Sequence, residues 1–105
     1  MSAPLVGLDA VIHPPKRLAA MALLDAAERT DFAFLRDHLQ ISDSDLSKQM
    51  SALQAAGYLK IHKSGRGRGS STSFTITKTG RIAYHRHREA LTALLGAQLS
   101  ESEEA

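Results

Sequence analysis

The chain contains no cysteine and no tryptophan, and aromatic residues make up only 5% of its 105 positions. Without cysteine it has neither a disulfide staple nor a thiolate metal site, and a reducing cytoplasmic setting is expected. Scarce aromatics leave leucine, isoleucine, alanine and methionine to fill the core. No apolar run reaches the roughly 20 residues that a membrane span requires. Met1-Ser2-Ala3-Pro4 lacks the basic start and long apolar centre of a secretion signal. The most telling absence is electrostatic: from Leu46 to Arg88 there is no carboxylate, yet this stretch holds nine of the thirteen lysines and arginines. On a molecule of formal net charge +2, such a region makes a local positive field whose natural target is a polyanion.

What is present reads as a single domain over residues 1–99, followed by an acidic flexible tail at 100–105. Pro14-Pro15 opens a first helix, because proline suits a first turn whose amides have no partner. Leu18, Met21, Ala22 and Leu24 follow as its apolar stripe. The upstream segment from Leu5 to Ile12 reads as an extra helical turn or two packing against a second subunit. Asp31 caps a short helix from Phe32 to about Leu39, with Phe32, Leu35 and Leu39 inward. Ser42 and Asp45 approximate a capping box for the next helix. Leu46, Met50 and Leu53 repeat along it, and Gly57 supplies a left-handed stop. Its opposite face carries Ser44, Ser47, Lys48 and Ser51, short side chains around one lysine that allow close approach of a partner surface.

Beyond Gly57 the period becomes alternating. Leu59 and Ile61 face one way and Lys60 and His62 the other, and Phe74 and Ile76 repeat the pattern. The two segments should pair as an antiparallel hairpin around the loop Ser64-Gly65-Arg66-Gly67-Arg68-Gly69-Ser70-Ser71. Thr77 or Thr79 then caps a long helix to about Leu99. The fold class expected is mainly α with a small antiparallel β-hairpin.

Two helices joined tightly through Leu39-Gln40-Ile41-Ser42, with a basic hairpin behind them, form a helix-turn-helix with a wing. Pro15 to Leu24 resembles the first helix of bacterial winged-helix repressors. Ile41 to Leu59 resembles their turn, recognition helix and first wing strand. Phe74-Thr75-Ile76-Thr77-Lys78-Thr79-Gly80-Arg81 is similar to the Y-x-L-T-x-x-G-R run that closes their wing and opens the last helix. The resemblance spans about residues 10–95 and is nearest to the small winged-helix subgroup related to the MarR and ArsR regulators. It implies a winged helix-turn-helix with a long C-terminal dimerisation helix, and a homodimer built from the first and last helices, with Leu91, Leu94, Leu95 and Leu99 at the interface.

Each element then has an expected role on double-stranded DNA. A helix of about 10–12 Å diameter fits the major groove, whose edges distinguish every base pair. Ser44, Ser47, Lys48 and Ser51 face the bases; lysine donates to guanine O6 and N7, and serine reads several bases. Arg66 and Arg68, spaced by glycines, can enter a narrow minor groove. Lys60, Lys63 and Lys78 suit phosphates. Arg81, Arg86 and Arg88 suit either DNA or ion pairs across a dimer. The overall expectation is a cytoplasmic, cofactor-free transcriptional regulator, acting as a repressor on a palindromic operator. Any small-molecule effector is left open.

Two other readings stand beside it. One is a metal-responsive winged-helix sensor using His85, His87 and His13. His85 and His87 are turned about 200° apart on a helix and cannot share an ion within one chain. The other is a winged-helix adaptor that binds protein or RNA, with Tyr58 as the one aromatic placed to stack on a base. Catalysis is not expected, since the chain has no cysteine nucleophile, no HExxH and no glycine-rich loop opening a helix.

Overall fold

A computed structural model describes residues 7–65 and 71–104, with side chains described through Gly96. Helix α1 spans Pro15–Ala26, strand β1 Thr30–Asp31, helix α2 Phe32–Leu39 and helix α3 Asp43–Ala55. Strands β2 (Leu59–Ser64) and β3 (Ser71–Ile76) follow, and helix α4 spans Lys78–Glu104. The last helix thus runs past Leu99, where the sequence suggested it would stop.

Helix boundaries follow from local chemistry. Proline at the first position of α1 donates no amide that would go unpaired. At α3, the Ser42 hydroxyl accepts the Asp45 amide at 3.1 Å, which is the first half of a capping box. The second half is missing, because the Asp45 carboxylate is held by Lys16 and by Gln49 instead. At the far end, Gly57 takes φ +81°. Its amide donates to the Gln54 carbonyl at 2.8 Å, and the Tyr58 amide donates to Leu53 at 3.0 Å. This pair of bonds is a complete Schellman motif. Asp31 stands at the N-cap of α2 but makes no side-chain capping bond. Thr77 does cap α4, accepting the Gly80 amide at 2.9 Å.

The hairpin forms in the expected register, Ile61 opposite Phe74 and Leu59 opposite Ile76. The sheet has a third strand that sequence periodicity did not reveal. Thr30 pairs with Phe74 and Asp31 with Ser73, giving the order β1-β3-β2. Two residues are too few for a period-2 pattern, so only tertiary pairing defines β1.

Ile12, Met21, Leu24, Leu35, Leu46, Met50, Leu53, Leu59 and Phe74 form the core, joined by Ala20 and Tyr84. Ala20 is buried on α1, whereas Ala22 is exposed. Ile12 corrects the reading of the N-terminal segment. Its side chain is fully buried in the chain's own core, and the Asp9 amide and the His13 ring both meet His87, so the described part of that segment packs on α4 of the same molecule. The Asp9 carboxylate secures the turn by accepting the Val11 and Ile12 amides at 2.8 and 3.2 Å.

Candidate nucleic-acid interface

Helix α3 divides cleanly. Leu46, Met50 and Leu53 are buried, and Ser44, Ser47, Lys48 and Ser51 are all exposed on the other side. The wing lies directly beside this face: Ser47 and Ser51 line one cleft together with Lys63 of β2 and Thr72 of β3, over a floor of Phe32, Met50, Ile61 and Phe74. Strand alternation explains which wing residues enter the cleft. Lys63 continues the Leu59–Ile61 row, and Thr72 continues the Phe74–Ile76 row. Lys60 is exposed on the opposite face of the hairpin, opposite Thr75. Thr72 was missed by sequence reasoning, although the same alternation places it. Arg66 and Arg68 lie outside the described residues.

The charges sort into two sets. Lys16 pairs with Asp45, Arg36 with Asp37 and Asp43, and Arg81 with Asp25. Lys48, Lys60, Lys63 and Lys78 are all exposed and have no ion-pair partner among the described residues. Arg81 is therefore occupied: its Nη1 donates to the Asp25 carbonyl at 2.8 Å and to its carboxylate at 2.7 Å. Arg88 lies over the Tyr84 ring at 5.8 Å.

The first turn of α3 carries two carboxylates, Asp43 and Asp45. These complement the positive end of the helix dipole, but at a DNA-facing helix start they would also repel phosphate. Lys16 and Arg36 offset that charge from neighbouring helices. The hydrogen bond from Lys16, followed by that from Gln49, holds the Asp45 carboxyl below its ordinary range. An aspartate where a capping box usually has glutamate was the available signal for this arrangement.

Alongside α1 and α4 runs an almost wholly apolar groove, lined by Pro15, Leu18, Ala19, Ala22, Tyr84, Arg88 and Leu91. Leu91 and Leu94 are half-buried, Leu95 is 54% exposed, and Leu99 lies on α4 beyond the described side chains.

The histidines occupy two separate sites. His85 Nε2 meets both Asp25 carboxylate oxygens at 3.0 Å. His87 is fully buried and meets His13, Nε2 to Nδ1, at 3.2 Å. Among the described residues no three His, Asp or Glu side chains gather as a metal cluster. No helix among them is long and apolar enough to cross a membrane.

Comparison with known proteins agrees with this geometry. Residues 16–95 match the family model described as winged helix DNA-binding domain. An uncharacterized protein of Methanocaldococcus jannaschii is 29% identical over 68 residues, covering 65% of this chain and 74% of its own. A transcriptional regulator homologue from Pyrococcus horikoshii OT3 superposes with a TM-score of 0.84 at 21% identity, over 93% of this chain and 98% of its own. The YusO protein from Bacillus subtilis superposes with a TM-score of 0.76 at 14% identity, over 93% of this chain and 69% of its own. With most of its length covered by the family model, and with the helix-turn-helix and wing in place, the chain belongs to the winged helix DNA-binding domain family.

Proposed function

We propose that this protein is a non-enzymatic, homodimeric transcriptional regulator that binds double-stranded DNA and represses at a palindromic operator. The observation that carries the reading is the shared cleft between α3 and the wing. There a helix face of short polar side chains and one unpaired lysine stands beside a hairpin whose lysines are also unpaired. Lysines held out of ion pairs are poised to displace counterions from a phosphate backbone. The serines let the helix backbone approach the groove floor, and Lys48 reads guanine. Lys63 contacts phosphate from the cleft side of the wing, Lys60 from its outer face and Lys78 from the start of α4. Arg66 and Arg68 extend the grip into the minor groove.

Dimerisation is placed at the α1–α4 groove and at Leu91, Leu94 and Leu95 of α4, with Leu99 further along the same helix. Two copies related by a two-fold axis would place their recognition helices about 34–36 Å apart, one turn of DNA.

Selection of bound duplexes from a random library tests the reading. An enriched palindrome with half-site centres about 10 base pairs apart supports it; recovery of no common sequence counts against it. Lys48→Ala should relax the preference at one base pair per half-site, costing about 1–3 kcal/mol there if the contact is bidentate. Uniform weakening across all sequences would instead reassign Lys48 to phosphate.

A further inference from the structure

The buried histidine on α4 has a hydrogen-bond environment that only its neutral form can satisfy. The Asp9 backbone amide donates to His87 Nδ1 at 2.8 Å, so Nδ1 carries no proton. The remaining ring proton of neutral imidazole is then on Nε2. That proton points to His13 Nδ1, 3.2 Å away, and the two rings meet edge-on with centroids 5.2 Å apart. A metal ion bridging the two rings would need Nε2 unprotonated, which this tautomer does not offer.

An imidazolium has a proton on each nitrogen. At His87 the new proton would face the Asp9 amide, donor against donor, at the centre of the N-terminal turn. Protonating His13 at Nδ1 would set it against His87 Nε2–H in the same way. Either event removes a hydrogen bond and leaves a buried donor unpaired.

The turn joins three parts of the molecule. Ile12 is fully buried in the core. The Asp9 carboxylate accepts the Tyr58 hydroxyl at 2.6 Å, at the junction between α3 and β2. That bond, with burial, pushes the Tyr58 hydroxyl up to about 12.

We infer that His87 and His13 form an acid-sensitive latch, which holds the segment from Gly7 to His13 against α4 and the root of the wing and lets it go on protonation. His13 and Asp9 of the N-terminal turn are the titratable groups that act on His87; the Tyr58 hydroxyl at the wing root donates to that Asp9, and Arg86 and Arg88 are the neighbours of His87 in sequence on α4. Burial, and then the neighbouring His13, lower the His87 pKa from its ordinary 6.5, while Asp9 opposes them weakly. A lowered folded-state value means that the latch is fully held above pH 6.5 and is lost as pH falls through the lowered value.

The test is nuclear magnetic resonance on the intact protein. At about pH 7.5, imidazole nitrogen shifts should show His87 as the Nε2–H tautomer. On lowering the pH to about 5, amide exchange at Asp9, Val11 and Ile12, corrected for its intrinsic pH dependence, should quicken roughly tenfold or more relative to core amides of α3. His87→Asn keeps an acceptor in the Nδ1 position and has no proton to gain, so its exchange should stay slow and flat across the same range. Should that variant fold poorly, the wild-type tautomer and exchange profile still decide the matter. An Nδ1–H tautomer, a wild-type profile without acid acceleration, or a well-folded asparagine variant with the same acceleration would each overturn the latch. Its consequence for DNA rests on the proposed function: acid should weaken duplex retardation by the wild type more than by His87→Asn. Loss of exchange protection without any DNA binding would keep the latch and remove the function.

Discussion

Gly80→Ala should destabilise the fold severely. Gly80 is buried in the first turn of α4, where that turn crosses the root of β2. A Cβ there would sit against the Tyr58 carbonyl oxygen, 2.7 Å from its carbonyl carbon and 2.9 Å from its Cα. These are backbone atoms, and that oxygen already accepts the Thr77 amide at 3.0 Å, so no side-chain rotation can relieve the contact. Either α4 or the wing must move, and both are anchored through Thr77, whose hydroxyl donates to the Gly57 carbonyl at 2.6 Å. Overpacking of this kind costs on the order of 3 kcal/mol, roughly 15 °C in Tm for a domain of this size. Gly96→Ala is the matched control. Gly96 is an exposed helical position where an added Cβ meets nothing within 4 Å, so alanine should stabilise α4 by about 0.5–1 kcal/mol. Thermal denaturation of the two variants should therefore show shifts of opposite sign. A Gly80→Ala protein that melts with the wild type would mean that α4 does not cross β2 as closely as described.

Leu95→Glu should convert the proposed dimer into a monomer and lower affinity for a palindromic duplex by a factor of about 10²–10⁴, the range lost when two linked binding events become independent. Leu95 is 54% exposed within one chain, so a glutamate there leaves the monomer's own core intact. In a two-fold interface each substitution appears twice, and two carboxylates are desolvated together. Sedimentation reads the oligomeric state, and gel retardation with a full palindrome and an isolated half-site reads the affinity. Loss of dimer with half-site binding retained fits the proposal. A Leu95→Glu protein that remains dimeric would move the interface elsewhere, and one that binds the palindrome undiminished would remove the need for a dimer.

Much of this arrangement is legible in the residues because local chemistry specifies it. The Ser42 cap, the Leu46–Met50–Leu53 stripe and the Gly57 stop each act within one helix, and each appears where those residues require. Strand alternation similarly fixes the hairpin register. What escaped depends on distant partners. Strand β1 exists only because Thr30 meets Phe74. Asp45 looks like half of a capping box until Lys16, from another helix, takes its carboxylate. Ile12 reads as apolar surface until the core is assembled around it. His87 was hidden by its neighbours: between Arg86 and Arg88 it reads as solvated, yet Tyr84, His87 and Leu91 recur at helical spacing along the side of α4 that faces the domain. Both ring nitrogens of His87 are engaged within the chain, and His85 faces Asp25 elsewhere. The two histidines that suggested a metal sensor thus have protein partners.

In the proposed complex, the serine-lined face of α3 and the basic wing hold one duplex together. Retardation of a duplex at increasing salt, for the wild type and for the double variant Arg66→Ala with Arg68→Ala, tests it most directly. Wild-type affinity should fall linearly on logarithmic axes, with a slope of about 0.9 for each phosphate neutralised, and the double variant should flatten that slope by up to roughly two phosphate equivalents. An unchanged slope would take the wing out of the interface, and no retardation of any duplex at low salt would contradict the account as a whole.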